Sequence, residues 1–355
     1  MHPTVTRVLD VPASTTLPEL HGLLQVVIGW TDSHLHQFVA GDQRWGVPSD
    51  DSWDEEERDE STAALKDLPK SFVYLYDFGD GWEHDVEVLG PGGAPGLVEG
   101  SGACPPEDCG GVPGYEELLK VLADPSHEEH EGVKRWSAHH SFTFDEAATA
   151  ALAHQVLGSV PASVRAMLDV VGAGLKLTQA GKLPPATVAR LLELCPGWEK
   201  LIGVIREDNV VEAWLLKDLM RDVGLLRLSR GVLSPTKAAT DDTEIVRRLR
   251  RHFPEDDFDT LLLTNALAVL AVEGPMSTGE VMSRVFPMMG RRWMVNGVPL
   301  DETSLRSAWS QVRRLGAALD LLVGGWRRPT QVGPSALTLL PRAAHLARLL
   351  APMGR

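Results

Sequence analysis

Asp77, Asp80 and His84 stand in the run Tyr76-Asp77-Phe78-Gly79-Asp80-Gly81-Trp82-Glu83-His84, and a second run, Cys104-Pro105-Pro106-Glu107-Asp108-Cys109-Gly110-Gly111, follows it. Carboxylates with a nearby histidine are the raw material of a metal-dependent hydrolase or phosphoesterase. Oxygen ligands hold a hard divalent cation, and the imidazole moves protons. Asp77, Asp80, His84, Glu107, Asp108 and His127 are the candidates for that chemistry. Cys104 and Cys109 offer a different one. With His84, His127 and His130 they could supply a nitrogen and sulfur set for zinc, although Pro105-Pro106 stiffens the loop between the thiols.

Each run also has a plain architectural reading. Asp and Gly at 77–81 supply hairpin turn geometry, 107–111 resembles a capped turn ahead of a helix, and two cysteines in a tight turn pack as small buried residues. Spatial convergence discriminates the two. An active site requires the two runs to meet, and turn architecture does not. His34 and His36 stand two apart on a predicted strand, so they share a face and either co-ligate or join the core. Tyr74, Tyr76 and Trp82 are expected to pack beside Phe38. No G-x-S-x-G elbow and no strand-to-helix phosphate loop is present. A recombinase centre finds no support either, because residues 1–150 contain only Arg7, Arg44, Arg58 and Arg135 as arginines.

The elements that must position these groups follow from periodicity. Thr4–Val11 reads as a strand. Thr16-x-x-Glu19 with Pro18 forms a capping box opening a helix whose buried face is Leu17, Leu20, Leu24, Val27 and Ile28. Residues 34–47 form a strand or hairpin, 50–60 an acidic loop, and 71–77 with 84–89 two strands around the turn Gly79-Asp80-Gly81. Residues 91–102 read as Gly/Pro-rich loop, Tyr115–Leu122 as a helix, and 145–160 as another. After Pro161 the pattern is mainly helical, with two faintly similar wing-like turns at 174–183 and 224–233. Near the end come a buried helix (261–272), a helix opened by the Ser277-x-x-Glu280 box, a helix over 303–319, and a hairpin formed by 319–323 and 335–340. Three helices and a hairpin is winged-helix order, and the third helix is the one such a fold presents to DNA. Arg306, Arg313, Arg314, Arg327 and Arg328 are its candidate phosphate contacts, the other reading being protein contact or a solvated face.

With 355 residues the chain is long enough for two or three domains, and its boundaries are expected at 1–157, 162–250 and 256–355. Residues 1–150 carry 8 Lys+Arg against 29 Asp+Glu, or −21, while 151–355 carry 26 against 20, or +6. The first part repels nucleic acid and the second tolerates it. The three cysteines do not make a secreted disulfide framework, no secretory signal stands at the N-terminus, and no apolar run is long enough to span a bilayer. A soluble cytoplasmic protein without membrane contact is expected.

The first part resembles the plasmid pRiA4b ORF-3-like family, whose members occur on plasmids and as passengers of insertion elements, some labelled resolvase-like. The resemblance rests on Val11-Pro12 and the following helix, Gly29-Trp30-Thr31-Asp32-Ser33-His34-Leu35-His36-Gln37-Phe38, Tyr74 through His84, Ala103 through Gly111, Gly114-Tyr115 and His127-Glu128-Glu129-His130. It implies an α+β domain of mixed strands and helices and brings no assigned activity. Two departures stand out. Family members usually have a further strand before Val5-Thr6-Arg7, so a sheet edge here is left exposed or covered by something else. They also tend to carry a cysteine where this chain has Pro95–Gly100. The stretches Leu177–Pro185 and Val223–Arg227 are similar to a helical segment of actinobacterial proteins. The expectation is an α+β domain followed by a mainly α region with winged-helix-like units. Its function is that of an accessory or regulatory protein of a mobile element, binding a divalent metal, a protein partner or DNA. The alternative is a metal-dependent hydrolase.

Overall fold

The computed structural model describes residues 4–47, 57–138, 140–158, 160–200, 203–254, 256–289, 293–295, 298–324 and 328–350. They divide into two compact units, one up to Leu157 and one over Gly158–Leu350. The first unit is α+β and the second mainly α.

In the N-terminal unit, β1 (Thr6–Asp10) leads to α1 (Leu17–Ile28). The Glu19 carboxylate accepts the Thr16 backbone N–H at 2.8 Å, a bond the predicted box requires, and also the Thr16 hydroxyl at 2.9 Å. Next come β2 (His36–Ala40), β3 (Gln43–Gly46), β4 (Glu57–Asp59), β5 (Ser71–Tyr76) and β6 (Trp82–Glu87). These five form a mixed sheet in the order β4-β3-β2-β5-β6, parallel only between β3 and β4. Part of the predicted acidic loop is therefore the edge strand β4; residues 48–56 lie outside the described ones.

Alternation along β5 buries Phe72, Tyr74 and Tyr76. Register then sets Phe38 against Tyr74 and Trp82 against Tyr76 on the same face. Helix α1 lies over that face, where His21 and Gln25 both hydrogen bond to the Tyr74 hydroxyl at 2.8 Å.

The stretch 91–102, expected to be loop, contains β7 (Gly96–Ser101), which pairs antiparallel with β1. Its glycines mislead because one of them marks an approach instead of a turn. A side chain at Gly100 would meet the Phe144 ring and the Arg7 stem. Arg7 also ties the ladder to α1 by donating to the Ser101 carbonyl at 2.7 Å and to Val27 at 2.5 Å. Strand β1 is thus paired by β7 and not joined to the five-stranded sheet. Helices α2 (Gly111–Ala123), α3 (His130–Trp136) and α4 (Glu146–Leu157) complete the unit.

The C-terminal unit runs α5 (Ala162–Val171), β8 (Leu175–Lys176), α6 (Pro185–Leu194), α7 (Val211–Asp222), β9 (Leu226–Ser229), β10 (Val232–Pro235) and α8 (Asp242–Arg250). It continues with α9 (Phe258–Glu273), α10 (Thr278–Met288), β11 (Met294–Val295), β12 (Val298–Pro299), α11 (Glu302–Ala318), β13 (Leu322–Val323), β14 (Gln331–Val332), α12 (Ala336–Leu339) and α13 (Arg342–Leu350). The two wing-like stretches share one sheet of order β8-β10-β9. The predicted hairpin is corrected in its second arm: β13 pairs with β14, and 336–339 is helical. One apolar cluster extends from Val160 to Ala343 and includes Leu216, Leu262 and Trp309. Among the described residues no helix is long and apolar enough to cross a membrane.

Candidate functional site

Gly29 ends α1 with φ +123°, a value that favours glycine, and the chain then loops to β2 carrying Thr31, Asp32, Ser33 and His34. Three interactions tie that loop to α1 and β5. The Asp32 N–H donates to the Gln25 side chain at 2.9 Å, the Asp32 carboxylate lies 2.9 Å from His21 Nε2, and the Ser33 N–H donates to the Tyr76 hydroxyl at 3.0 Å.

The Tyr76 hydroxyl in turn donates to Glu107 Oε1 at 3.1 Å, beside donors from Thr31 N at 2.7 Å and Thr31 Oγ1 at 2.8 Å. Burial, with the Glu107 charge added, holds the Tyr76 phenol far above its ordinary range, so it remains a donor. These bonds occupy one oxygen of Glu107. The other, Oε2, points to His34 Nε2 at 3.7 Å.

Asp77 closes the third side. At φ +56° it ends β5, and its Oδ1 accepts the N–H groups of Gly79 at 3.0 Å and Asp80 at 3.3 Å, the turn chemistry expected of it. Its Oδ2 lies 3.6 Å from His34 Nε2, and Asp108 Oδ1 lies 3.4 Å from the same nitrogen. His34, Asp77 and Asp108 each bring a ligand atom to one small volume, and Glu107 stands beside them. His34 Nε2 and Glu107 Oε2 are buried and have no hydrogen-bond partner among the described residues.

An ion about 2.1 Å from each of two ligands holds them roughly 3.0–3.4 Å apart for angles between octahedral and tetrahedral. The separations from His34 Nε2 to the three carboxylates, 3.4–3.7 Å, start at the upper end of that range and run slightly beyond it. One imidazole and up to three carboxylates suit a hard or borderline divalent cation such as Mg²⁺, Mn²⁺ or Zn²⁺.

The two sequence runs do meet. Gly110 N–H donates to Asp80 Oδ2 at 3.0 Å, and a side chain at Gly111 would run into the Asp80 carbonyl. Of the predicted carboxylate set, Asp77, Glu107 and Asp108 converge, whereas Asp80 latches the loops together. His84 is placed elsewhere. Register sets it opposite Tyr74 on the buried face, with Nδ1 3.1 Å from the Tyr74 carbonyl and Trp30 Nε1 donating to Nε2 at 3.4 Å. Burial lowers its pKa, so it is a neutral core residue with both nitrogens engaged. His127 sits between α2 and α3, where its Nδ1 accepts the Glu129 N–H at 3.2 Å.

The predicted thiolate set is not brought together. His130 is buried with Nδ1 2.9 Å from the Val121 carbonyl, and Cys104 is buried with its thiol 3.2 Å from the Pro105 carbonyl. None of the three cysteines is in a disulfide. Burial pushes the Cys109 thiol up to about 12, and the Asp80 carboxylate adds to it. Only about one such thiol in ten thousand is thiolate at pH 8. Alkylation of native Cys109 by iodoacetamide, followed by peptide mapping, is therefore expected to be slow at pH 8 and to rise about tenfold per pH unit. A rate at pH 8 equal to that of the denatured chain would overturn this.

His36 does not share a site with His34. It faces inward, 2.8 Å from Glu60, and its ring stacks on His21 with centroids 3.4 Å apart. The strand begins at His36, so the period-2 rule does not reach back to His34. Sequence reasoning missed Thr31 and Tyr76 as the donors that orient Glu107. The block 29–38 carried the only signal, since Thr31 and His34 stand together in it.

An α+β domain whose mixed sheet, first helix and two Asp- and Gly-bearing loops gather these residues defines the class to which the first unit belongs. The chain is a member of the plasmid pRiA4b ORF-3-like protein family, whose family model matches residues 1–151. It is 42% identical over 159 residues to the uncharacterised protein y4hQ of Sinorhizobium fredii, a match covering 42% of this chain and 80% of that protein. It is also similar to the crystal structure of MM3350, a protein of unknown function from Methanosarcina mazei Go1. That match has 32% identity and a TM-score of 0.36, and covers 42% of this chain and 90% of the other.

In the second unit the predicted arginines part company. Arg306 is exposed and ion-paired with Glu302 at 2.6 Å. Arg313, expected on the outer face of α11, is only 5% exposed and donates to the Gly324 carbonyl at 3.3 Å. Helix α11 packs against α7 as well as α9 and α10, so more than its apolar stripe is covered. Arg314 is half-buried, Arg328 is exposed, and Arg327 lies outside the described residues.

Proposed function

We propose that the N-terminal domain is a divalent-cation site formed by His34, Asp77, Glu107 and Asp108. The chain then serves as an accessory or regulatory protein of a mobile element, binding a partner in a metal-dependent way. The observation that carries this is the pair of buried polar atoms without hydrogen-bond partners among the described residues, His34 Nε2 and Glu107 Oε2, with Asp77 and Asp108 carboxylate oxygens 3.6 and 3.4 Å from that same His34 nitrogen. Buried polar atoms are normally satisfied, and a cation satisfies all of these together.

Elemental analysis of the purified protein, with calorimetric titration of Mn²⁺, Mg²⁺ and Zn²⁺, tests it. The wild type is expected to bind one ion, His34→Ala and Asp77→Asn to lose at least about tenfold in affinity, and Cys104→Ser/Cys109→Ser to bind as the wild type does. Absence of binding by the wild type, or undiminished binding by His34→Ala, would overturn the proposal.

Hydrolysis is the second reading. Asp108 has a side chain 75% exposed, so a bound ion would keep a solvent-facing side for water or substrate. Cation-dependent turnover of a phosphoester, lost in Asp77→Asn, would favour it. Duplex DNA contact through α11 and the β13–β14 turn draws support from Arg314 and Arg328 but not from the buried Arg313.

A further inference from the structure

The C-terminal unit contains a cleft of about 690 Å³, lined by the turn after β8, by the short helical turn carrying Glu207 and Asp208, by α7 and by one residue of α11. Its size lies within the range of small-molecule sites, about 300–1,000 Å³. Trp214 stands on the cleft side of α7 and is 47% exposed, an unusual state for so large an apolar ring.

The charges around it do not all cancel. Lys182 is tied to Asp208 by contacts of 2.5 and 2.7 Å, and Lys217 to Glu207 at 2.8 Å. Among the described residues Arg221 has only a long ion-pair contact, to Asp218 at 3.5 Å. Arg314 also lines the cleft and has no ion pair among the described residues. With four cations against three carboxylates, the lining is left with one positive charge, carried by groups that recognise phosphate in a planar, two-pronged way.

An open indole face and a guanidinium without an ion pair among the described residues, in one cleft, match a ligand with a flat ring and an anionic group. We propose that this cleft takes a nucleotide, with the base stacked on Trp214 and the phosphate on Arg314 beside Arg221. A duplex cannot offer an unstacked base, whereas a free nucleotide or a single strand can.

Two arms of one experiment separate the sources. The full chain is titrated with adenosine 5′-monophosphate by calorimetry, and with a fluorescein-labelled oligo(dA) of about fifteen nucleotides by anisotropy. Binding of the monophosphate assigns the cleft to free nucleotide, and binding of the oligonucleotide alone assigns it to single strands. In either case Trp214→Ala is expected to weaken binding about 5- to 100-fold, the usual range for losing one stacked base. Arg314→Gln is expected to weaken it and to flatten its salt dependence. His34→Ala should leave it unchanged, which keeps this site distinct from the N-terminal one. Trp214 is exposed, so its variant should retain the wild-type circular dichroism and melting profile. If the wild type binds neither probe at about 1 mM, or if both cleft variants bind as well as the wild type, the proposal fails.

Discussion

Replacing Lys217 by methionine is expected to destabilise the C-terminal unit by about 3–5 kcal/mol, because it strands a buried carboxylate. Lys217 Nζ lies 2.8 Å from Glu207 Oε1, and the two side chains are 6% and 2% exposed. Asp218, 3.7 Å from the same nitrogen, is 36% exposed and can turn to water. Glu207 cannot, because it is fixed in a short helical turn whose end caps the start of α7. Removing one partner therefore costs far more than the pair contributes. The double replacement Lys217→Met/Glu207→Leu is expected to recover most of the loss, since an apolar pair of similar volume needs no desolvated charge. Urea unfolding of the two variants checks this. Equal losses in both would mean that packing around the lysine stem, and not the stranded charge, sets the cost.

Gly111→Ala is expected to cost about 3 kcal/mol or more, and Gly110→Ala only about 1 kcal/mol, although the two residues are neighbours. Both have positive φ, +87° at Gly110 and +67° at Gly111, so both substitutions carry the left-handed penalty. They differ in what a methyl group meets. At Gly110 the nearest atom is the Gly114 Cα at 3.6 Å, an ordinary contact, whereas at Gly111 it is the Asp80 carbonyl oxygen, which belongs to rigid backbone. Relieving that clash must part the two loops, and with them the bond from Gly110 N–H to Asp80. Glu107 and Asp108 would shift away from His34, so cation affinity should fall by more than tenfold in Gly111→Ala and little in Gly110→Ala. Thermal melts with and without Mn²⁺ read both effects. Equal behaviour of the two variants would show that the loops are not locked at this point.

Much of this arrangement was legible in the residues themselves. The capping boxes at Thr16–Glu19 and Ser277–Glu280 state helix starts directly, because the reciprocal bonds need only those residue types at that spacing. The β5–β6 hairpin was legible for a similar reason, since alternating aromatics flank a turn rich in Asp and Gly. Three failures share one cause, which is dependence on distant partners. Residues 96–101 form a strand because Arg7 and Phe144 come to meet them, and nothing local announces it. His84 lies in the core through its register against Tyr74, although its neighbours suggested a site. Arg313 is covered by elements that its own helix pattern does not mention. The site was half visible: its acidic members stood in the two runs, while His34 was read as a strand residue paired with His36.

Thr31 and Glu107 are 76 residues apart along the chain, yet they share hydrogen bonds at the centre of the cluster. Closing a segment of that length is entropically costly and is recovered only when the intervening sheet has formed. The three acidic side chains can converge on His34 only where β5 and the 104–111 loop are both in place, and a chain that has lost either carries only scattered carboxylates. Any solute that prefers the gathered state raises the stability of the entire domain by mass action. Occupancy of the proposed site would in that sense report that β5 and the 104–111 loop have reached their places beside His34.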